Sequence, residues 1–435
     1  MDTENYVNKT VNAADMDIKK KTVILNANVI TPFRVISDGY VLIEKDKIIE
    51  VGENGKRKLD NITKELKELS DISESINIID AGGRYAAPGF IDIHTHGGGG
   101  YDFLDCTAEA YIGAAEKHLQ HGTTAMVPTI TTSSIDELKE TFGVFKKAKG
   151  ENKSGAQFLG LHLEGPYVSM EQRGAQDPRY IRNPKPEEYM EILKLSDDII
   201  RWSAAPELEG ALEFARYIKS KGVLPSIAHT DATYEQALEA FENGFTHVTH
   251  LYSNTSTVKR INAYRYAGVI ETAYLLDDMS VEIIADGSHL PASLLKLIYK
   301  IKGSDHIALV TDSMRAAGMP EGKSVIGSLK NGVPVIVEDG VAKLPDRTAF
   351  AGSVATADLL VRNMVDLADV PLLDAVKMMT ITPAKIIGVS DKKGSITVGK
   401  DADIVIFDEN INIKMAMVEG KVIFSKLYFY IRYNG

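Results

Sequence analysis

The chain is 435 residues long, with ordinary apolar (44%) and charged (25%) fractions, a size that calls for one large domain with a smaller companion rather than a single small core. Its net charge of −11 excludes the broad basic face that nucleic acid or an anionic membrane surface would need. The single cysteine, Cys106, excludes an internal disulfide framework and reads as a packed or idle thiol in a reducing compartment. No apolar run approaches the length of a membrane helix, and Met1 to Lys21 lacks the apolar core of a signal peptide. Together these features make the cytoplasm the expected location, with no nucleic-acid or membrane partner.

Residues 1–20 are polar and without period, and are expected to form a flexible leader. From Lys21 the text becomes β-rich, with Thr22–Ile30, Gly39–Glu44 and Lys47–Val51 separated by turn residues, the pattern of a small sandwich. Between Lys56 and Ile76 the apolar positions Leu59, Ile62, Leu66, Leu69 and Ile72 recur at helical spacing, predicting an amphipathic helix. After Pro88, strand-like and helix-like runs alternate. The strand runs are Phe90–Ile93, Thr124–Pro128, Phe158–Leu163, Ile200–Ala204, Val223–Ala228, His247–Leu251, Val281–Ala285 and Ile307–Val310. Helices are predicted over Ala108–His118, Ile135–Lys149, Leu208–Lys221, Glu235–Asn243 and Pro291–Ile301, then Thr356–Leu367 and Leu372–Met379. Eight strand runs over about 220 residues match a (β/α)₈ TIM barrel. Lys393–Phe407 and Ala416–Phe424 return to β-like text. The expected organisation is therefore a leader at 1–20, a β-sandwich domain built from 21–87 and 394–435, and a barrel domain at 88–393.

The chemistry-bearing residues gather at the carboxyl ends of these runs, the rim where barrel enzymes carry their active sites. The first run ends His94-Thr95-His96, followed by Gly97 to Gly100. Residues two apart on a strand share a face, so His94 and His96 project together and can hold one metal ion when neutral. The third run ends His162-Leu163-Glu164-Gly165-Pro166, and Pro166 is expected to keep Gly165 extended. The fifth ends at His229, the sixth contains His247 and His250, the seventh is followed by Asp286-Gly287-Ser288-His289, and the eighth by Thr311-Asp312. Each alone has a plain structural explanation, and six strand ends carrying such residues together do not. His247, out of phase with His250, reads as structural; His162 reads as a neighbour behind Glu164; His118, His121 and His306 read as incidental. Imidazole with carboxylate ligands suits zinc or ferrous iron better than magnesium or calcium. With a nearby Asp to carry a proton, the set supports metal-assisted hydrolysis.

Pro88-Gly-Phe-Ile-Asp-Ile-His-Thr-His-Gly97, His162-Leu-Glu-Gly-Pro166, Ala228-His-Thr-Asp-Ala-Thr233, Thr249-His-Leu-Tyr252, Ile284-Ala-Asp-Gly-Ser-His289, Thr311-Asp312 and Ala351-Gly-Ser353 together resemble the amidohydrolase superfamily. The similarity runs from about Lys21 to Lys426 and is greatest to the branch that deacetylates N-acetylglucosamine 6-phosphate in amino-sugar catabolism. The resemblance implies that Glu164, His229 and His250 hold the main metal ion, and that His94 and His96 hold a second, bridged by Glu164, so that one or two divalent ions are bound per subunit. It implies a catalytic Asp312, a His289 that contacts the substrate and polarises the acetyl carbonyl, and a sugar contact at Ala175. After His250 the text departs from the family pattern. Asn254 and Thr255 are expected to take the sugar-contacting role with a one-residue shift. Arg265 is expected to bind the phosphate across a homodimer interface, with Arg260 as the rival. Two other functions stay open: an amidohydrolase acting on another N-acyl sugar or N-acyl amino acid, and a non-catalytic barrel serving as a scaffold or metal-dependent binder.

Overall fold

A computed structural model of the chain describes residues 9–11, 21–53, 61, 76–427 and 429–432. The chain divides into two compact units, one made of residues 1–91, 119–124 and 372–435 and the other of residues 92–118 and 125–371.

In the first unit, strands from both chain ends share one ten-stranded sheet. Its spine is Lys21–Ile30, which pairs antiparallel with Val35–Glu44 on one edge and parallel with Ile76–Asp80 and Tyr85–Pro88 on the other. Ile404–Phe407 from the distal end pairs antiparallel with Tyr85–Pro88 and carries Ile413–Val418 beyond it. Alternate residues of these strands, among them Ile24, Val29, Val41, Ile404 and Met415, fill one apolar cluster. Their neighbours in sequence, Val23, Leu25, Tyr40 and Leu42, fill another, as a period of two requires. Within the expected leader, Lys9–Val11 forms a strand paired with Phe429–Arg432; the rest of residues 1–20 lies outside the described residues. So does the helix expected between Lys56 and Ile76, apart from Asn61 and the strand residue Ile76.

The eight parallel strands expected after Pro88 are present. They are β1 (Phe90–Thr95), β2 (Thr123–Thr131), β3 (Leu161–Glu164), β4 (Ile199–Ala204), β5 (Leu224–Ile227), β6 (His247–Val248), β7 (Ser280–Ile283) and β8 (Ile307–Leu309), each hydrogen-bonded to the next. Past the end of β8 the chain turns back onto β1. The Asp312 N–H donates to the His94 carbonyl at 2.9 Å, the His96 N–H donates to the Ser313 carbonyl at 2.8 Å, and the Thr311 hydroxyl donates to the buried Asp92 carboxylate at 2.5 Å. These bonds bring the first and last strand ends together, and with them His94, His96 and Asp312.

The connecting helices follow their apolar spacing. In Ala211–Ser220 the buried residues are Ala211, Phe214, Ala215 and Ile218, a single stripe. Ile135–Glu151 starts at a capping box in which Ser134 and Glu137 satisfy each other's backbone N–H groups. Helices Pro186–Leu195 and Val269–Leu275, a hairpin at Lys259–Tyr266, and a three-stranded sheet spanning Gly322–Lys343 were not anticipated from the sequence. The sixth strand stops at Val248 rather than Leu251, because the backbone turns left-handed at His250 (φ 28°).

Candidate metal-dependent active site

Strand β1 delivers His94 and His96, β3 delivers Glu164, and His229, His250 and Asp312 stand just past β5, β6 and β8. These last three sit on left-handed backbone (φ 46°, 28° and 46°). Non-glycine residues rarely adopt that conformation, and it concentrates at functional sites. The turn lifts each side chain off its strand and aims it across the barrel mouth.

There, four imidazole Nε2 atoms meet two carboxylates. Glu164 Oε1 lies 2.9 Å from His250, 3.1 Å from His229 and 3.5 Å from His94, while Glu164 Oε2 lies 3.5 Å from His96. Asp312 Oδ1 lies 3.0 Å from His96 and 3.3 Å from His94. All six side chains are buried or nearly so. Burial pushes the Glu164 carboxyl up, but the charge of His94 and the hydrogen bonds of His229 and His250 hold it well below the usual carboxylate range. Asp312 is likewise raised by burial and brought below its ordinary value by His94 and His96. His96 is pulled down by burial, and contact with Asp312 and the charge of Glu164 take it up to about 9.

Hydrogen-bond roles test whether a cation fits here. The His229 Nδ1 lies 2.9 Å from the Gln172 carbonyl, which can only accept, so a neutral ring keeps its proton on Nδ1. The His94 Nδ1 is 3.1 Å from the Glu282 carboxylate and is fixed in the same way. In both rings a bare Nε2 lone pair then faces carboxylate oxygen, and His94 Nε2 is buried without a hydrogen bond. Such lone-pair contacts repel unless a proton or a metal ion lies between them. Two overlapping ligand triads, His94–His96–Glu164 and Glu164–His229–His250, have their donor atoms within 4.8 Å of one another. The residues fit one or two divalent cations with nitrogen and oxygen ligands.

The cluster forms the floor of a cavity of about 460 Å³. Ala175, Asn254 and His289 line it, as do Gly327 and Ser328 next to the three-stranded sheet. The His289 Nδ1 donates to Asp286 at 2.7 Å, leaving Nε2 for the cavity, and the His289 ring packs on Phe350 with centroids 4.8 Å apart.

A model of the amidohydrolase family matches residues 85–423. The chain belongs to that family. The amidohydrolase superfamily is metal-dependent, which agrees with the two triads, and the chain is a hydrolase. N-acetylglucosamine-6-phosphate deacetylase of Bacillus subtilis (strain 168) is 32% identical over 91% of this chain and 95% of its own length. N-acetylgalactosamine-6-phosphate deacetylase of Escherichia coli O157:H7 is 29% identical over 80% of this chain and 90% of its own. The crystal structure of N-acetylglucosamine-6-phosphate deacetylase from Pasteurella multocida superposes with a TM-score of 0.81 at 30% identity, covering 92% of this chain and 99% of that one.

Against this amidohydrolase site, the sequence expectations divide. The structure gathers His96, Glu164, His229, His250, His289, Asp312, Ala175 and Asn254 around one cavity, with His94 buried behind Glu164 and Asp312. It does not bring Thr255 to the cavity wall: Thr255 pairs with Thr230 through its backbone and its side chain is buried. Arg265 lies on the exposed hairpin away from this cavity, directly opposite Arg260 in the strand register. Gly165 is not extended but has φ +92°, because the chain swings sharply after Glu164, and a Cβ there would sit 2.3 Å from Thr132 Oγ1. His118 is not incidental. It is buried, and its Nε2 lies 2.9 Å from the Gly97 carbonyl, under the glycine run.

Sequence reasoning missed Gln176. Its amide donates to Glu164 Oε2 at 2.9 Å and accepts from the Thr132 N–H at 2.8 Å, so it orients the shared carboxylate. It also missed Arg201 and Glu282, buried charges inside β4 and β7. The available signal was a charge in the middle of each otherwise apolar run, Ile200-Arg201-Trp202 and Val281-Glu282-Ile283.

Proposed function

We propose that this chain hydrolyses the acetamide of N-acetylglucosamine 6-phosphate to acetate and glucosamine 6-phosphate, as a cytoplasmic enzyme of amino-sugar breakdown. The observation that carries the proposal is the convergence of four imidazoles on Glu164 and Asp312 beneath one cavity. Full-length similarity to deacetylases of N-acetylated amino-sugar phosphates supports the substrate class.

Glu164, His229 and His250 would hold one divalent cation, zinc or ferrous iron, and His94 and His96 a second that shares Glu164. When bound, such an ion polarises the acetyl carbonyl and lowers the pKa of water toward neutrality. Asp312, kept ionised by the adjacent imidazoles, accepts the proton of the attacking water. As the C–N bond breaks, Asp312 returns that proton to the departing nitrogen, so that amide and water become acetic acid and amine, which leave as acetate and ammonium. His289, steadied through Nδ1 by Asp286, directs Nε2 to the acetyl oxygen. Ala175 and Asn254 form the wall for the sugar ring, a role we do not extend to Thr255.

The phosphate end is assigned to the hairpin Lys259–Tyr266 of a second copy in a homodimer. Arg260 and Arg265 are cross-strand neighbours on one face, a like-charge pair that an anion would relieve. Tyr264 beside them is 73% exposed, which suits a partner surface.

Acetate release measured with N-acetylglucosamine 6-phosphate, unphosphorylated N-acetylglucosamine and N-acetylgalactosamine 6-phosphate tests the proposal. The first is expected to have the highest kcat/KM, at least tenfold above the second. Equal values for the first two would remove the phosphate from the assignment, preference for the third would correct the sugar, and no acetate from any would favour a binding role.

A further inference from the structure

Beneath the metal-type cluster, the barrel interior holds a charged pair with no solvent exposure, Arg201 on β4 and Glu282 on β7. Glu282 Oε2 accepts from the His94 Nδ1 at 3.1 Å and from the His250 backbone N–H at 3.3 Å. Glu282 Oε1 pairs with Arg201 Nη1 and lies 3.3 Å from His247 Nε2. Arg201 spends further donors on Ile93 and Thr249, the residues beside His94 and His250, and on Ser226. Nη1 donates to the carbonyl of Ile93 at 3.2 Å, Nη2 to the hydroxyl of Thr249 at 2.7 Å, and Nε to Ser226 at 3.0 Å.

Burying an ion pair in a barrel core is a poor way to gain stability, since apolar side chains of similar volume serve as well or better. What the pair does supply is direction. A carboxylate can only accept, so Glu282 forces the His94 proton onto Nδ1 and leaves Nε2 bare, aimed at Glu164 and Asp312. The imidazole ring cannot turn without losing that bond. Ser280, 2.8 Å from the His247 Nδ1, orients His247 toward Glu282 and completes the brace.

We infer that Glu282, held in place by Arg201, is a positioning residue that makes His94 a ligand, so that filling of the His94–His96–Glu164 position depends on it. The inference rests on the assignment of the cluster as a metal site. The Glu164–His229–His250 position depends on Glu282 less, because only the His250 backbone touches it and His229 is oriented independently by the Gln172 carbonyl.

The test uses the full chain and the variant Arg201→Met/Glu282→Leu, which removes both charges at once so that neither is stranded in the core. Glu282→Gln serves as a second variant that keeps an acceptor for His94. Zinc titration of metal-stripped protein against a competing chelator reads the number of ions and each affinity. Nitrogen-15 spectra of the stripped protein read the His94 tautomer. The parent should bind two ions with the His94 proton on Nδ1. In the double variant the weaker ion should lose affinity by about 10- to 100-fold, the usual cost of removing a ligand's outer partner, with the tighter ion several-fold less affected and the fixed tautomer gone. Glu282→Gln should lie between the two. A purely structural role would weaken both ions alike and thereby overturn the inference. So would a parent that binds one ion, or a double variant that keeps both affinities. A parent that binds no ion would overturn the metal-site assignment itself.

Discussion

Gln176→Ala separates a carboxylate that is merely nearby from one that is held for a purpose. In the structure the Gln176 amide donates to Glu164 Oε2 at 2.9 Å while its oxygen accepts from the Thr132 N–H at 2.8 Å, all within buried surroundings. A hydrogen bond to a charged acceptor contributes about 1.5–3 kcal/mol. If Glu164 grips a cation, losing the bond that orients it lowers metal affinity by a similar amount, about 10- to 100-fold at roughly 1.4 kcal/mol per factor of ten. The stranded Thr132 N–H adds about 1–3 kcal/mol to the loss of folding stability. Chelator competition gives the first quantity and chemical denaturation of the metal-free chain gives the second. Metal affinity within twofold of the parent, alongside reduced stability, would refute the reasoning and leave Gln176 as a brace for its loop.

Four other substitutions probe three separate links. Asp312→Asn should keep its metal and lose about 10²- to 10⁴-fold in kcat, the range for a lost general acid–base group; near-normal turnover with metal bound would remove Asp312 from the proton path. Gly165→Ala must accept a left-handed backbone at φ +92° and a Cβ 2.3 Å from Thr132 Oγ1, which should destabilise the fold by about 2–4 kcal/mol on denaturation; a change below about 1 kcal/mol would contradict the geometry. Arg265→Ala should raise KM for the phosphorylated sugar while leaving kcat/KM for the unphosphorylated one unchanged, and Arg260→Ala should do the same more weakly; an effect from Arg260 alone would exchange their roles.

The barrel and the metal-type cluster were legible because both are written locally. Alternating apolar runs mark the strands, and a histidine or carboxylate just past a run marks the rim. His94, His96, Glu164, His229 and Asp312 follow that rule, and His250 lies inside the run His247–Leu251 but past the strand that forms there. Residues whose role depends on distant partners were not legible. Glu282 acquires meaning from His94, 188 residues away, and Gln176 sits in an irregular segment with no period to aim its side chain. The left-handed turns at His229, His250 and Asp312 occur at residue types that carry no glycine-like signal. The one at His250 shortened the sixth strand relative to its apolar run. The sheet at Gly322–Lys343 reads as β-like text only once it is known that the barrel has already closed at Asp312. Arg265 illustrates a different limit: its position away from the cavity acquires a purpose only if a second chain is present.

The central claim is that these side chains exist to hold a cation that the hydrolysis needs. Elemental analysis of the purified chain, coupled to acetate release from N-acetylglucosamine 6-phosphate before chelation, after it, and after zinc or ferrous iron is restored, tests it most directly. One or two ions per chain, activity abolished on stripping and recovered on restoring either metal, is the expected result. Full activity in protein shown to be metal-free would contradict it.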